Sequence, residues 1–348
     1  MKRLAKTDLP GVLKDWAKNC TVICPSVKPQ GDIIFDTFDE NTFTLDYGKP
    51  SLPPKSFFLP HSEVIFELVD GRYEVKNSAS KTIIFGIRAC DMTGLVQSRS
   101  FMTRDNTDPY YQARIDTTIT VVMACGGPQN ATCFCTTTRS GPASVGGFDL
   151  QFYDMGKSFL VETGSDTGAG LVSAKAFADV KEKEALSLIA EFCNKATEAI
   201  PEVKDIRDAM AELTAGSDCT QVWNNLGNKC IICGGCAFVC PTCTCFNVYD
   251  QALDNANGVR IKAWDACLYN GFTREASGHN PRPTQSSRLQ RRHEHKLLYF
   301  NSTDVGGALC GCVGCGRCSD YCPVHIGTLE VAHAIVQAQL NRTGGKNE

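Results

Sequence analysis

The sequence lacks the features that would send a chain into a membrane, out of the cell or onto nucleic acid. No apolar run among its 348 residues approaches the length of a membrane span. The first residues, MKRLAKTDLPGVLKDW, carry neither the apolar segment of a signal peptide nor a twin-arginine signal. The net charge of −3 gives no case for nucleic acid or an anionic membrane. We therefore expect a cytoplasmic protein.

Nucleotide-binding motifs are missing as well. Neither the GxGxxG fingerprint nor the GxxxxGK[ST] pattern occurs, and the glycine-rich stretch Gly164–Gly170 follows neither. We expect that this chain itself binds neither NAD nor ATP.

Cysteine, in contrast, is abundant, with 20 residues. Disulfides would explain this number in a short secreted chain, but this chain is long and 43% hydrophobic. Eight cysteines form two runs with the same spacing. They read Cys230-x-x-Cys233-x-x-Cys236-x-x-x-Cys240-Pro241 and Cys312-x-x-Cys315-x-x-Cys318-x-x-x-Cys322-Pro323. This spacing is typical of bacterial ferredoxins, in which the fourth cysteine ligates the other run's [4Fe–4S] cluster.

The repeated spacing predicts two [4Fe–4S] clusters with crossed ligands. One set is Cys230, Cys233, Cys236 and Cys322, and the other is Cys312, Cys315, Cys318 and Cys240. Neighbouring glycines leave room for backbone N–H groups to approach sulfur. The alternative is structural zinc, but zinc usually takes two CxxC pairs rather than this quartet. Because exposed clusters are oxygen-labile, we expect an anaerobic setting.

Two further cysteine groups allow more than one interpretation. Cys243, Cys245 and Cys267 either ligate a further centre, with Cys310 as a candidate fourth ligand, or pack as buried thiols. The other group is Cys90, Cys125, Cys133 and Cys135. It holds a third cluster, forms a buried thiol cluster or acts as redox-active thiols.

The hydrophobic pattern predicts an α/β (or α+β) N-terminal domain over residues 1–215. Two nearly all-apolar strands, Thr82–Ile87 and Thr118–Met123, flank a helix at Met92–Met102, which places cysteines after strand ends. Residues 216–348 read as helical. The 71 residues between Cys240 and Cys312 are too many for a compact ferredoxin hairpin. They favour an α-helical ferredoxin-like domain carrying both clusters.

A basic stretch lies between the two runs. It contains Arg288, Arg291, Arg292, His293, His295 and Lys296. We interpret it as a helix face exposed to solvent or to a partner, although cations near clusters also offset the negative charge of the clusters.

Several segments together resemble one family. They are Cys230–Phe246 (CxxCxxCxxxCPTCxCF), Trp264–Cys267 (WDxC), Arg288–Lys296, Cys312–Val324, Leu45–Gly48, Lys55–Pro60, Gly86–Asp91, Asp108–Tyr111 and Cys133–Cys135. The chain resembles the beta subunits of cytoplasmic [NiFe] sulfhydrogenases. It is similar in the same segments to an iron–sulfur subunit of anaerobic sulfite reductase and to iron–sulfur subunits that feed heterodisulfide reductase-type complexes.

The resemblance implies an electron-transfer subunit that does no bond chemistry of its own. Its partners would be a flavoprotein subunit that binds FAD and NAD(P), and a catalytic redox subunit. It also favours an additional cluster or a flavoprotein contact at the four N-terminal cysteines. The alternative is a reductase with its own active site at those cysteines, supplied by the clusters.

Overall fold

A computed structural model describes residues 1–75, 79–300 and 307–344. The strands are β1 (Lys2–Ala5), β2 (Thr21–Val27), β3 (Ile33–Thr37), β4 (Ser62–Val69), β5 (Arg72–Val75), β6 (Thr82–Arg88), β7 (Thr118–Met123), β8 (Leu150–Asp154), β9 (Ser158–Thr163), β10 (Ala178–Asp179), β11 (Phe246–Ala252) and β12 (Gly258–Trp264). The helices are α1 (Leu9–Trp16), α2 (Ala89–Thr103), α3 (Pro109–Thr117), α4 (Asp166–Leu171), α5 (Glu182–Ala199), α6 (Lys204–Thr214), α7 (Thr220–Lys229), α8 (Gly235–Phe238), α9 (Gln285–Glu294), α10 (Arg317–Asp320) and α11 (Thr328–Gly344).

A large mixed sheet forms the N-terminal part. Its strand order is β10-β1-β9-β8-β7-β6-β2-β3. The four strands β8, β7, β6 and β2 are parallel to one another, and antiparallel strands flank them on both sides. The α/β character predicted for this part is confirmed.

The apolar residues of the central strands fill two cores, one on each face of the sheet. Ile83 and Val121 lie in one core with Leu13 of α1. Ile84 and Val122, the next residue in each strand, lie in the other core, which α2 and α3 also line. Because strand side chains alternate between faces, a strand that is apolar throughout must be covered on both sides.

A second sheet combines strands from distant parts of the chain. Its order is β11-β12-β4-β5, and β12 pairs antiparallel with β4. The prediction that residues 216–348 are helical is therefore wrong for β11 and β12. Lys262 of β12 is buried and ion-paired with Glu63 at 2.7 Å and with Asp108 at 2.8 Å, which fixes the hairpin onto the N-terminal part.

The helices of the C-terminal part share one core. Helix α6 packs on α11 and α7 packs on α9, through residues that include Ile206, Trp223, Leu289 and Ile335. The boundary expected near residues 215–217 falls in the turn after α6. Packing crosses it, because α6 joins the C-terminal helices and β4 joins the C-terminal hairpin. Among the described residues, no helix is long and apolar enough to cross a membrane.

Candidate metal centres

The two cysteine runs adopt the same backbone conformation. The residue before the second cysteine has a positive φ in both runs, 61° at Ile232 and 59° at Gly314. The residue after that cysteine is a glycine with a φ of 72° in both runs, Gly234 and Gly316. Each glycine precedes a one-turn helix, and these helices, α8 and α10, pack against each other. The sequence repeat is thus also a structural repeat.

Sulfurs of the first run lie close to one another and to the second run. Burial raises the pKa of the Cys236 thiol to about 11, although the guanidinium of Arg292 opposes this shift. Neighbouring sulfurs raise the pKa further, and they belong to Cys318, Cys230 and Cys233. Cys236 therefore faces sulfurs of its own run and one of the other.

The fourth cysteine of the first run lies beside the second run. Burial raises the pKa of the Cys315 thiol to about 11, and the Cys240 sulfur is one of the neighbours that raise it further. Burial also raises the pKa of Cys312, with Cys318 and Cys315 among its neighbours. This proximity is the arrangement that crossed ligation requires.

Hydrogen-bond donors point at the sulfurs of both runs. They are Gln285 Nε2 to Cys230 Sγ at 3.1 Å, Ile326 N to Cys322 Sγ at 3.2 Å, Thr328 N to Cys318 Sγ at 3.4 Å and Gly314 N to Cys312 Sγ at 3.5 Å. Donors of this kind stabilise thiolates and tune cluster potentials. No sequence pattern indicated Gln285, because it is distant from both runs.

The four N-terminal cysteines line one pocket. Cys90 lies in the first turn of α2, directly after β6, and Cys125 follows β7. Because β6 and β7 are parallel neighbours, their carboxyl ends bring these thiols together. The loop after β7 brings Cys133 and Cys135 to the same pocket, which Cys315 of the second run also lines.

Two cations line that pocket, Lys49 and Arg88. Arg88 lies over the Tyr47 ring at 3.9 Å, and its Nε donates to the Gly48 carbonyl at 2.7 Å. Burial raises the pKa of the Cys125 thiol, and Arg88 opposes this shift. The pocket therefore combines four cysteines with positive charge, which suits an anionic metal centre.

Cys243, Cys245 and Cys267 also come together. The Cys267 thiol donates to the sulfur of Cys245 and holds the pKa of Cys245 down at about 6. Cys243 lies against Cys240 and has Cys245 as its next sulfur neighbour. Cys310, the candidate fourth ligand, points elsewhere, since its Sγ donates to the Cys312 carbonyl at 3.5 Å. The remaining cysteines lie in or against hydrophobic cores, as expected; they are Cys20, Cys24, Cys193 and Cys219.

The interpretation of the basic stretch as an exposed face is wrong. Arg288, Arg292, His293 and Lys296 are buried, and His295 and Arg291 are only partly exposed. Arg292 Nη2 donates to the carbonyl of Cys236 at 2.9 Å, so the stretch faces the cysteines rather than solvent. Burial, Arg292 and Lys296 together hold the pKa of His293 well below its usual value, so this histidine adds no further charge.

Two ion pairs join the second run to the N-terminal part. Arg317 forms a bidentate pair with Asp91, with Nη1–Oδ1 and Nη2–Oδ2 distances of 2.5 and 2.8 Å. Lys49 pairs with Asp320 at 2.8 Å and also donates to the Cys315 carbonyl. These contacts hold the second run against the N-terminal pocket.

The donor set fits iron–sulfur clusters. It consists of cysteine sulfurs with N–H donors around them and buried cations beside them. Within residues 1–75, 79–300 and 307–344, no three His, Cys, Asp or Glu side chains are grouped as ligands of a single metal ion. A four-iron cluster differs from a single ion in distributing its thiolates over several irons.

Comparisons with known proteins agree with this chemistry. A family model described as a 4Fe-4S dicluster domain matches residues 229–326. Sulfhydrogenase 2 subunit beta of Pyrococcus furiosus is 30% identical over 290 residues, which are 83% of this chain and 84% of that protein. No solved structure matches the chain significantly.

The chain is thus an iron–sulfur protein with a 4Fe-4S dicluster domain in its C-terminal part. It belongs to the family of iron–sulfur beta subunits that includes sulfhydrogenase 2 subunit beta. The family predicted from the sequence is therefore confirmed, as is a hydrogenase-related oxidoreductase subunit with 4Fe-4S chemistry.

Proposed function

We propose that this chain is the electron-transfer subunit of a cytoplasmic oxidoreductase complex of the hydrogenase, sulfite reductase or heterodisulfide reductase type. It relays electrons between a flavoprotein subunit that carries FAD and binds NAD(P), and a catalytic redox subunit. The observation that carries the proposal is the structural repeat of the two cysteine runs, whose short helices pack together. The chain's own lack of GxGxxG and GxxxxGK[ST] motifs supports placing the nucleotide on a partner.

Two cubanes in an α-helical ferredoxin-like arrangement are the core of the proposal. One is held by Cys230, Cys233, Cys236 and Cys322, and the other by Cys312, Cys315, Cys318 and Cys240. The nearness of Cys240 to Cys315 supports this crossed assignment. When bound, such clusters supply one-electron transfer.

A third cluster on Cys90, Cys125, Cys133 and Cys135 would extend the relay. The shared pocket and its two cations support this assignment. Cys315 also lines that pocket, whereas Cys318 is a neighbour of Cys236. These two contacts support a consecutive order: the first cubane, the second cubane, then the N-terminal centre.

Iron and acid-labile sulfide analysis of the full chain, purified without oxygen, tests the assignment. The substitutions Cys236→Ser, Cys315→Ser and Cys133→Ser should each remove about four irons. Cys193→Ser is the control, since this cysteine packs against a hydrophobic core outside all three sets. Wild-type iron content in Cys236→Ser or Cys315→Ser, or stoichiometric zinc, would contradict the cubanes.

A second measurement addresses the role. The chemically reduced chain should pass electrons to a viologen-type acceptor without transforming sulfite, hydrogen or a disulfide substrate by itself. Turnover of such a substrate by the isolated chain would instead favour a reductase with its own active site.

A further inference from the structure

Three cysteines that neither cubane uses meet at the base of the small sheet. Cys245 directly precedes β11, and Cys267 lies three residues after β12. Because Phe246 pairs with Trp264 across the hairpin, the segments next to the hairpin run side by side. The pairing brings the Cys267 thiol into a hydrogen bond with Cys245, and Cys243 is a close neighbour of both.

Three buried cations surround these cysteines without a carboxylate partner among the described residues. Lys55, Arg292 and Lys296 are only 4%, 1% and 3% exposed. Lys55 Nζ donates to the Cys243 carbonyl at 2.9 Å, and Lys296 Nζ donates to the carbonyl and hydroxyl of Thr242 at 3.2 and 2.7 Å. Arg292 donates to a carbonyl of the first run at 2.9 Å, but its Nε has no hydrogen-bond partner.

Carbonyl oxygens satisfy N–H groups but do not cancel a full charge. An unpaired cation in a protein interior strongly destabilises the fold, so a buried anion is required nearby. The negative groups nearest to Lys55 and Lys296 are the thiols of Cys243 and Cys240. Lys55 also lies over the Trp264 ring at 4.3 Å, at the same hairpin base. The cations therefore converge on the sulfurs.

We propose that Cys243, Cys245 and Cys267 hold an iron–sulfur centre of their own, a proposal that rests on the electron-transfer function above. The three buried cations neutralise the negative charge of this centre. Three thiolates leave one position of the cluster to a group other than cysteine. Cys240 stays with the second cubane, and its contact with Cys243 makes the extra centre a neighbour of that cubane.

The test uses the full chain, purified without oxygen, with a matched control. Cys243 and Cys219 belong to the same hydrophobic cluster and are 9% and 5% exposed. Cys243→Ser and Cys267→Ser should each lose about three or four irons with an equivalent amount of sulfide. Cys219→Ser should keep the wild-type content. Spin integration of the dithionite-reduced protein should fall by one centre in the first two variants alone.

Other outcomes overturn the proposal. Wild-type iron and spin count in Cys243→Ser and Cys267→Ser would mean that these cysteines are packed thiols. Stoichiometric zinc in place of the iron would exclude an iron–sulfur centre. Failure of the two cubanes is distinguishable, because Cys236→Ser would then also keep its iron.

If the serine variants lose all their iron because they fail to fold, Lys55→Met decides. It leaves every thiol in place and removes one cation. The proposal predicts a lower reduction potential for the electron paramagnetic resonance component of the extra centre, because a reduced centre gains negative charge. Potentials identical to those of the wild type would overturn it.

Discussion

The buried ion pair between Arg317 and Asp91 gives the most direct test of how the two parts of the chain are held together. Both side chains are 0% exposed, and the two hydrogen bonds between them measure 2.5 and 2.8 Å. Arg317 Nε also donates to the Pro50 carbonyl at 2.9 Å. The substitution Asp91→Asn keeps the shape of the carboxylate but leaves the guanidinium buried without a counter-charge.

Removal of one partner from a buried pair destabilises a protein by about 3–5 kcal/mol. We therefore expect Asp91→Asn to lower the free energy of unfolding by about that amount. With a urea dependence of about 3 kcal/mol/M, the unfolding midpoint falls by roughly 1 M or more. Circular dichroism and the visible absorbance of the clusters, recorded without oxygen, follow the transition.

The exposed pair of Lys195 and Glu191 provides the control. These side chains are 72% and 61% exposed, and Glu191→Gln should change stability by only about 0.5 kcal/mol. The double variant Asp91→Asn with Arg317→Met should recover part of the loss, because no unpaired charge remains. If Asp91→Asn shifts the midpoint no more than Glu191→Gln does, the ion pair does not have the role assigned to it.

Further predictions concern backbone strain and pH. Gly316→Ala should destabilise more than Gly156→Ala, since both glycines have positive φ, but only at Gly316 would an added Cβ clash with a backbone carbonyl, that of Thr132; equal urea midpoints would contradict this. Ile232→Gly should stabilise by up to about 1 kcal/mol because it relieves a left-handed φ of 61°, whereas Ile231→Gly next to it should not; the same urea assay decides. At Asp108, burial raises the pKa, but hydrogen bonds from a lysine and two backbone N–H groups outweigh it and lower the pKa overall. The ionised carboxylate therefore stabilises the fold above its ordinary pKa, and acidification from pH about 6 to about 3 should weaken the wild type more than Asp108→Asn.

The sequence predicted the central strands of the large sheet well. The segments at β6 and β7 are apolar throughout, and that pattern predicts a strand covered on both faces. It also placed Cys90 and Cys125 after parallel strand ends, where the pocket lies. The hairpin of β11 and β12 escaped prediction because β11 is almost entirely exposed and carries no regular apolar alternation.

The basic stretch shows a different limit. A run of arginines, histidines and a lysine between two motifs is typical of an exposed helix face, because an isolated buried charge is unfavourable. Here the surroundings reverse that expectation. Carbonyl oxygens and cysteine sulfurs around Arg292 and Lys296 provide the polar contacts and negative charge that water would otherwise supply.

The sequence by itself determined the chemistry of this protein, because the spacing of cysteines within each run is a local property. Three sulfurs within seven residues face one centre almost regardless of the rest of the fold. Only the tertiary structure decided which distant groups lie beside those sulfurs. Arg317 meets Asp91 across 226 positions, and Lys55 meets the Cys243 carbonyl across 188. Such contacts depend on how strands and helices pack, and no spacing within the sequence encodes that packing.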